Sequence, residues 1–310
     1  METSKTYNRT INLLDKYTKF IKSIDTEDIG NNLTLDKLIE LKSILSDINN
    51  IMTLISTRSI ATKLSDILSF KNEDRERIFN DIDKEVCNIL RNFAAIEIQI
   101  PALIEKDVLK KVGYFESFPD QIVGITSFKK DLNGNFEKTI NDNLYLTPSA
   151  CLHLYPIFGE KKIDKGIFTT KARVYRNEKK YDGKFRLNDF TVREIVVVGK
   201  CEFVKTTLNL ILKKLLYLAE NLGLMVEMKN ANDPFYPSRE NEIKRKIQVL
   251  ENRKFEMIVN IDNELISIGS LNFHGTHFSK AFDFDNNGSI VTGCIGIGLE
   301  RWVNSINLKK

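Results

Sequence analysis

The chain has 310 residues, of which 42% are hydrophobic, 9% aromatic and 28% charged. These globular proportions support a sizeable core and exclude a disordered, collagen-like or coiled-coil chain. Forty-six Lys and Arg against 42 Asp and Glu leave a formal charge of +4, milder than the basic excess of a dedicated nucleic-acid binder.

Four scattered cysteines are too few for a disulfide scaffold. The first ten residues are polar and carry no apolar signal core. No apolar run approaches the roughly 20 residues of a membrane span. A cytoplasmic, reducing location is therefore expected. There, free thiols serve as core residues, metal ligands or nucleophiles.

From Ile11 to Phe93 the pattern is helical. Ile11, Leu14, Tyr17 and Ile21 recur at helical spacing, and Gly30-Asn31-Asn32 marks a break. Leu35, Leu38, Leu41, Leu45 and Ile48 form a second stripe. A third runs through Ile82, Val86, Ile89, Leu90 and Phe93, with its start at Asn72-Glu73-Asp74-Arg75. Residues 1–75 are expected to be a helical N-terminal segment and residues 76–310 a second, larger domain.

At Ile96-Glu97-Ile98-Gln99-Ile100 the period drops to two, as in a half-buried strand, and Pro101 ends it. Further strands are expected at Gln121–Phe128, Arg173–Tyr175, Asp189–Val198, Phe255–Ile261, Glu264–Ile268 and Ser289–Ile297. Asn133-Gly134 and Asp182-Gly183 are hairpin signals. Lys200–Leu222 reads as a helix ended by Gly223, and Arg239–Asn252 as a charged amphipathic one. Strands and helices do not alternate regularly, so an α+β fold is expected, an antiparallel sheet flanked by helices.

Two segments could carry chemistry. Tyr175-Arg176-Asn177-Glu178 precedes a polar loop, and Arg186 and Phe190 follow it. A strand, a loop and a returning strand would put Arg176 and Glu178 on one face, with Phe190 beside them. Guanidinium holds phosphate bidentately, and a phenyl face stacks on a purine. Paired surface charges on a hairpin are the plainer alternative. Gly296-Ile297-Gly298-Leu299-Glu300-Arg301 is the second segment. It would set Arg301 in the first turn of a helix, where phosphate is favoured. Tight strand–helix packing explains the glycines equally well.

Taken together, the two segments resemble motifs 2 and 3 of class II aminoacyl-tRNA synthetases. The helix feeding a strand that ends at Pro101 resembles motif 1, the dimer-forming element. Gly113-Tyr114-Phe115-Glu116-Ser117-Phe118-Pro119, Thr147-Pro148-Ser149-Ala150-Cys151, Asn232-Asp233-Pro234-Phe235-Tyr236 and Gly293-Cys294-Ile295-Gly296 narrow the resemblance. They look like amino acid:[carrier protein] ligases, truncated relatives of the atypical zinc-dependent seryl-tRNA synthetases. The resemblance runs from Ile78 to the C-terminus.

The resemblance implies a class II catalytic domain in a homodimer. It implies ATP-dependent activation of a small amino acid, glycine or alanine, and transfer to the 4′-phosphopantetheine thiol of an acyl or peptidyl carrier protein. Arg176, Glu178, Arg186, Phe190 and Arg301 would bind ATP, with Arg176 and Arg301 acting in catalysis. Ser149, Asp233, Ser270 and Asn272 would bind the amino acid. Zn²⁺ would be held by Cys151, Glu194 and Cys294, a donor set that leaves one position open. An amine that binds there must be neutral, so binding should weaken at low pH. Without the resemblance, those cysteines read as inert core thiols.

Mg²⁺ would bridge the ATP phosphates, with Glu264 as a candidate ligand. Cys87 and Cys201 are expected to be core or partly buried. His274-Gly275-Thr276-His277 has ligand-like spacing, but the resemblance implies a wall of the ATP pocket or a substrate loop instead. A carrier protein is typically acidic, and Arg239, Lys244, Arg245, Lys246, Arg253 and Lys254 offer it a basic patch. A solvated helix face accounts for the patch equally well. The nearly charge-balanced N-terminal segment argues against tRNA as acceptor. A synthetase-like enzyme with a tRNA or small-molecule acceptor and a non-catalytic paralogue remain as alternatives.

Overall fold

The computed structural model describes residues 73–307, apart from 132–135 and 286. The first two helical stripes and the Asn133-Gly134 turn lie outside the described residues. In chain order the helices are α1 (Glu73–Arg91), α2 (Lys106–Lys111), α3 (Tyr114–Ser117), α4 (Leu154–Lys161), α5 (Cys201–Asn221), α6 (Arg239–Leu250), α7 (His277–Ala281) and α8 (Leu299–Asn307). The strands are β1 (Ile96–Glu97), β2 (Leu103–Glu105), β3 (Gly124–Lys130), β4 (Phe136–Leu146), β5 (Gly166–Tyr175), β6 (Asp189–Lys200), β7 (Val226–Asn230), β8 (Lys254–Ile261), β9 (Glu264–Gly275) and β10 (Ile290–Gly298).

Seven strands form the central sheet in the order β1-β5-β6-β10-β9-β8-β7, and β2-β4-β3 form a smaller one. The central sheet is mixed rather than wholly antiparallel. β1 runs parallel to β5, and the other pairs are antiparallel. The class is α+β, as expected.

Strand pleating sorts the core into two sides. Ile195 and Val197 of β6, Ile295 and Ile297 of β10, and Met257 and Val259 of β8 share one cluster with α1, α5 and α8. From the helices come Ile82, Val86 and Leu90, then Val204, Leu208, Ile211 and Leu215, then Trp302 and Val303. Val196, Val198 and Cys294 belong to a second cluster, with Tyr155 and Phe158 of α4 and Phe278 of α7.

Several boundaries moved. β5 begins at Gly166, and β9 continues to Gly275, because the sheet extends pairing that a short apolar window does not signal. β4 was not expected. It is exposed over most of its length, so it lacks the in–out alternation that marks a half-buried strand. Cys87 is partly buried, but Cys201 is exposed as the first residue of α5, not a core thiol.

Arg193 fastens α1 to this sheet. It is 2% exposed. Its Nε and Nη2 donate to the two carboxylate oxygens of Asp83 at 2.8 and 3.0 Å, and its Nη1 donates to Glu97 at 2.7 Å. Lys171 also donates to Asp83, at 3.1 Å. Burial works to raise the Asp83 carboxyl, but bonds and charge from Arg193 and Lys171 outweigh it and hold the group below the ordinary carboxylate range. A carboxyl depressed in the folded state stabilises fully above its unfolded pKa, near 3.9, and that contribution disappears as pH falls through the folded value.

Asp83→Asn should therefore destabilise the protein by about 3 kcal/mol at neutral pH, because it strands a buried guanidinium. Urea midpoints measured from pH 7 down to pH 3 would show the gap to wild type closing towards the acid end. A variant as stable as wild type at pH 7 would exclude the clamp.

Candidate active site

One cavity of ≈ 1080 Å³ opens at the ends of β5, β6, β9 and β10. It is lined by every residue expected to bind ATP, amino acid or zinc. Three groups of side chains divide it.

The first group is basic. β5 ends at Tyr175, so Arg176 and Glu178 sit in the loop beyond it and not on the strand face. Asn188 turns the chain there, its carbonyl accepting the Arg176 N–H at 2.7 Å and its side-chain Oδ1 the Glu178 N–H at 3.2 Å. Arg176 Nε donates to the Pro148 carbonyl at 3.0 Å, and its guanidinium lies over the Phe190 ring, 5.3 Å from the centroid. Glu178 stands 3.9 Å from Arg186. Asp182 folds the loop by accepting three backbone N–H bonds, from Lys184, Phe185 and Arg186.

Arg301 falls in the first turn of α8, as expected. It donates to the carbonyls of Phe185 at 2.6 Å and Ser267 at 2.7 Å. Burial pushes its guanidinium pKa down, and the like charges of Arg176 and Arg186 push the same way. Three guanidinium groups gathered against their mutual repulsion favour a polyanion between them. Glu300, beside Arg301, turns into the structure. Both of its carboxylate oxygens accept the Thr191 N–H, at 2.8 and 2.9 Å, which ties α8 to the start of β6.

Cys151, Glu194 and Cys294 make the second group. Cys151 sits on a 3₁₀ turn after Ser149, Glu194 in mid β6 and Cys294 in mid β10. Their donor atoms all lie within 4.8 Å of one another, and all three residues are buried. Gly296 pairs with Glu194, and a Cβ there would come 3.0 Å from its carboxylate. Burial pushes the Glu194 carboxyl well above the usual carboxylate range, and the Cys151 thiolate adds to the effect. Two thiols and a carboxylate held this close suit a divalent cation of zinc type. Among the described residues there is no second such cluster. His274 packs beside this one instead, with Nε2 3.5 Å from Cys294 Sγ and Nδ1 3.1 Å from Thr292 Oγ1.

The third group was only partly legible. Asp233 bonds Lys254 at 2.5 Å and Gln248 at 2.6 Å. Asn272 Nδ2 donates to Ser270 at 3.3 Å and points a second contact at Cys294 Sγ, 3.7 Å away. Ser149 Oγ lies 3.3 Å from Cys151 Sγ. On the β8–β9 hairpin the cavity carboxylate is Glu256, not Glu264. Glu264 opens β9, next to the turn, and is exposed. Lys254 is a cavity residue and only 7% exposed, so it does not belong to a surface patch. Gln248 was missed, because a glutamine in a charged helix carries no signal of facing inward.

No protein-family model matches the chain. It is 29% identical over 259 residues to a type-2 serine–tRNA ligase from Methanococcus aeolicus, covering 73% of this chain and 49% of that one. It is 28% identical over 226 residues to amino acid–[acyl-carrier-protein] ligase 1 of Bradyrhizobium diazoefficiens, covering 66% and 68%. The chain thus spans about half the length of the serine–tRNA ligases it matches. Among solved structures, the M. kandleri seryl-tRNA synthetase in complex with A. aeolicus tRNASec superposes with a TM-score of 0.63 at 22% identity. That match covers 75% of this chain and 51% of the synthetase. The chain is a homologue of the type-2 serine–tRNA ligases and the amino acid–[acyl-carrier-protein] ligases, built on the class II synthetase fold.

Proposed function

We propose that the protein is an adenylate-forming ligase. It activates a small amino acid, glycine or alanine, with ATP and passes it to the 4′-phosphopantetheine thiol of a carrier protein. One observation carries the reading: the polyanion-binding arginines and the buried Cys151–Glu194–Cys294 set share a single cavity.

In the first step the amino-acid carboxylate attacks the α-phosphorus of ATP. Pyrophosphate leaves, and an aminoacyl-adenylate remains. Positioning and charge stabilisation supply most of the rate. Arg176 offsets charge on the α-phosphate, and Arg301 and Arg186 hold the outer phosphates. Phe190 stacks on the adenine and Glu178 accepts from its amine. Class II synthetases use ATP with Mg²⁺, and Glu256 supplies a carboxylate on this side of the cavity. Cys151, Glu194 and Cys294 would hold Zn²⁺, which when bound offers an open coordination position to a neutral amine. Ser149, Asp233, Ser270 and Asn272 surround the amino acid. In the second step the pantetheine thiol attacks the carbonyl of the adenylate, AMP leaves and a thioester forms. No protein nucleophile is needed.

The carrier-protein ligase of B. diazoefficiens supports the acceptor, since two thirds of that chain is matched. On α6, Arg239, Lys244 and Lys246 are exposed beside Ile243 and Ile247, a surface suited to an acidic partner. A homodimer is proposed through α1 and the chain to Pro101, where Ile96 is exposed, with Leu103 exposed just beyond. No described helix is long and apolar enough to cross a membrane, and a cytoplasmic site of action is proposed. Residues 1–75 are proposed as a separate helical segment. Because serine–tRNA ligases are among the relatives, tRNA is the second acceptor to test.

ATP–pyrophosphate exchange screened over the standard amino acids should respond to glycine or alanine. No response to any amino acid would end the ligase reading. Arg176→Ala and Arg301→Ala should each lower exchange about 100-fold or more. Charging assays should yield a thioester on holo-carrier and no ester on tRNA; the opposite result would favour the second acceptor. Purified wild type should contain zinc, and Cys294→Ser should lose most of it. Unchanged metal content in that variant would remove Cys294 as a ligand.

A further inference from the structure

Asp233 lies in the loop between β7 and α6, where no regular backbone pairing restrains it. Three contacts do so instead. Lys254 Nζ meets Oδ1 at 2.5 Å. Gln248 Nε2 donates to Oδ2 at 2.6 Å, and Gln248 Oε1 accepts the Asp233 backbone N–H at 2.9 Å. Lys254 alone would leave the carboxylate free to swing about one oxygen. The amide of Gln248 grips both the side chain and the peptide plane, which removes that freedom. Each oxygen keeps a lone pair for a donor from the cavity.

Gln248 is part of a pattern on α6. Asn241 Nδ2 donates to the carbonyls of Glu116 at 2.8 Å and Tyr236 at 3.0 Å. Lys244 Nζ donates to Ser117 Oγ at 3.0 Å, and Arg245 to the Phe235 carbonyl at 3.2 Å. All four side chains hold the loops that roof the cavity. Asn241 is the one buried residue of the helix.

We propose that Gln248 is a positioning residue for the amino-acid site, fixing Asp233 so that its carboxylate accepts an N–H of the substrate's primary amine. This rests on the ligase reading above, in which Asp233 faces the amino acid. Gln248 lines the cavity, and in this role it acts through Asp233 rather than on the reacting atoms.

Gln248→Met keeps length and bulk but removes both bonds. In pyrophosphate exchange it should raise KM for glycine or alanine about tenfold or more, since bonds to a charged group are lost. KM for ATP should stay within about twofold, with an unchanged thermal midpoint. Gln248→Glu sets a second carboxylate against Asp233, so its defect should be larger near pH 8. The defect relative to wild type should shrink as pH falls, because a protonated Glu again donates. An unchanged amino-acid KM in Gln248→Met would overturn the proposal. So would equal rises in both KM values, or a Gln248→Glu defect independent of pH. A wild type inert to every amino acid would instead count against the ligase reading, so the two failures are distinguishable.

Discussion

A guanidinium buried to 2% exposure is costly unless each of its nitrogens finds a partner. Arg193 meets that condition through Asp83 and Glu97, and the rest of the site depends on it. Consecutive residues of a strand point to opposite faces. Arg193 therefore faces α1, while Glu194 faces the cavity. The clamp fixes the height of β6 against the helix. Through β6 it fixes the Glu194 carboxylate and, four residues earlier on the same face, the Phe190 ring. β10 follows by pairing, since Gly296 opposes Glu194. A one-residue slip would drive a guanidinium among the thiols and a carboxylate into the helix side. Both would be unpaired buried charges, so the register is strongly specified.

The cavity is electrically divided. Arg176, Arg186 and Arg301 make one end hungry for negative charge, and burial together with their like charges pushes the Arg301 pKa down. The Cys151–Glu194–Cys294 end has the opposite character, with a carboxyl that burial resists ionising. Asp233 and Lys254 lie along another wall as an ion pair.

Local signals were readable where one periodicity dominated. The apolar stripe of α1, the valine run of β6 and the glycine after α5 each gave their element. Arg301 at the opening of α8 was legible because a Gly-x-Gly strand end and a helix start are both local features. The pairing of Cys151, Glu194 and Cys294 was not. They are brought together by the β6–β10 ladder and a distant turn, which no spacing encodes, and only the resemblance linked them. Glu256 and Glu264 differ by position on one hairpin, so only the register decides which reaches the cavity. Cys201 was misread because an otherwise apolar helix stripe hides which face its first residue takes.

Helix α6 reverses the usual arrangement of a surface helix. Ile243, Ile247 and Leu250 are 53%, 39% and 79% exposed, while Asn241, Lys244, Arg245 and Gln248 hold it to the body. Apolar burial therefore contributes little to keeping it in place. Polar contacts exchange readily with water, at about 1 kcal/mol net for a neutral one. Such a segment can lift by sub-global opening while the sheet and its clamp stay folded. The roof of the cavity would then behave as a hinged door. A partner seated on the outer face, where Ile243 and Leu250 lie exposed near basic side chains, would grip the door by its handle.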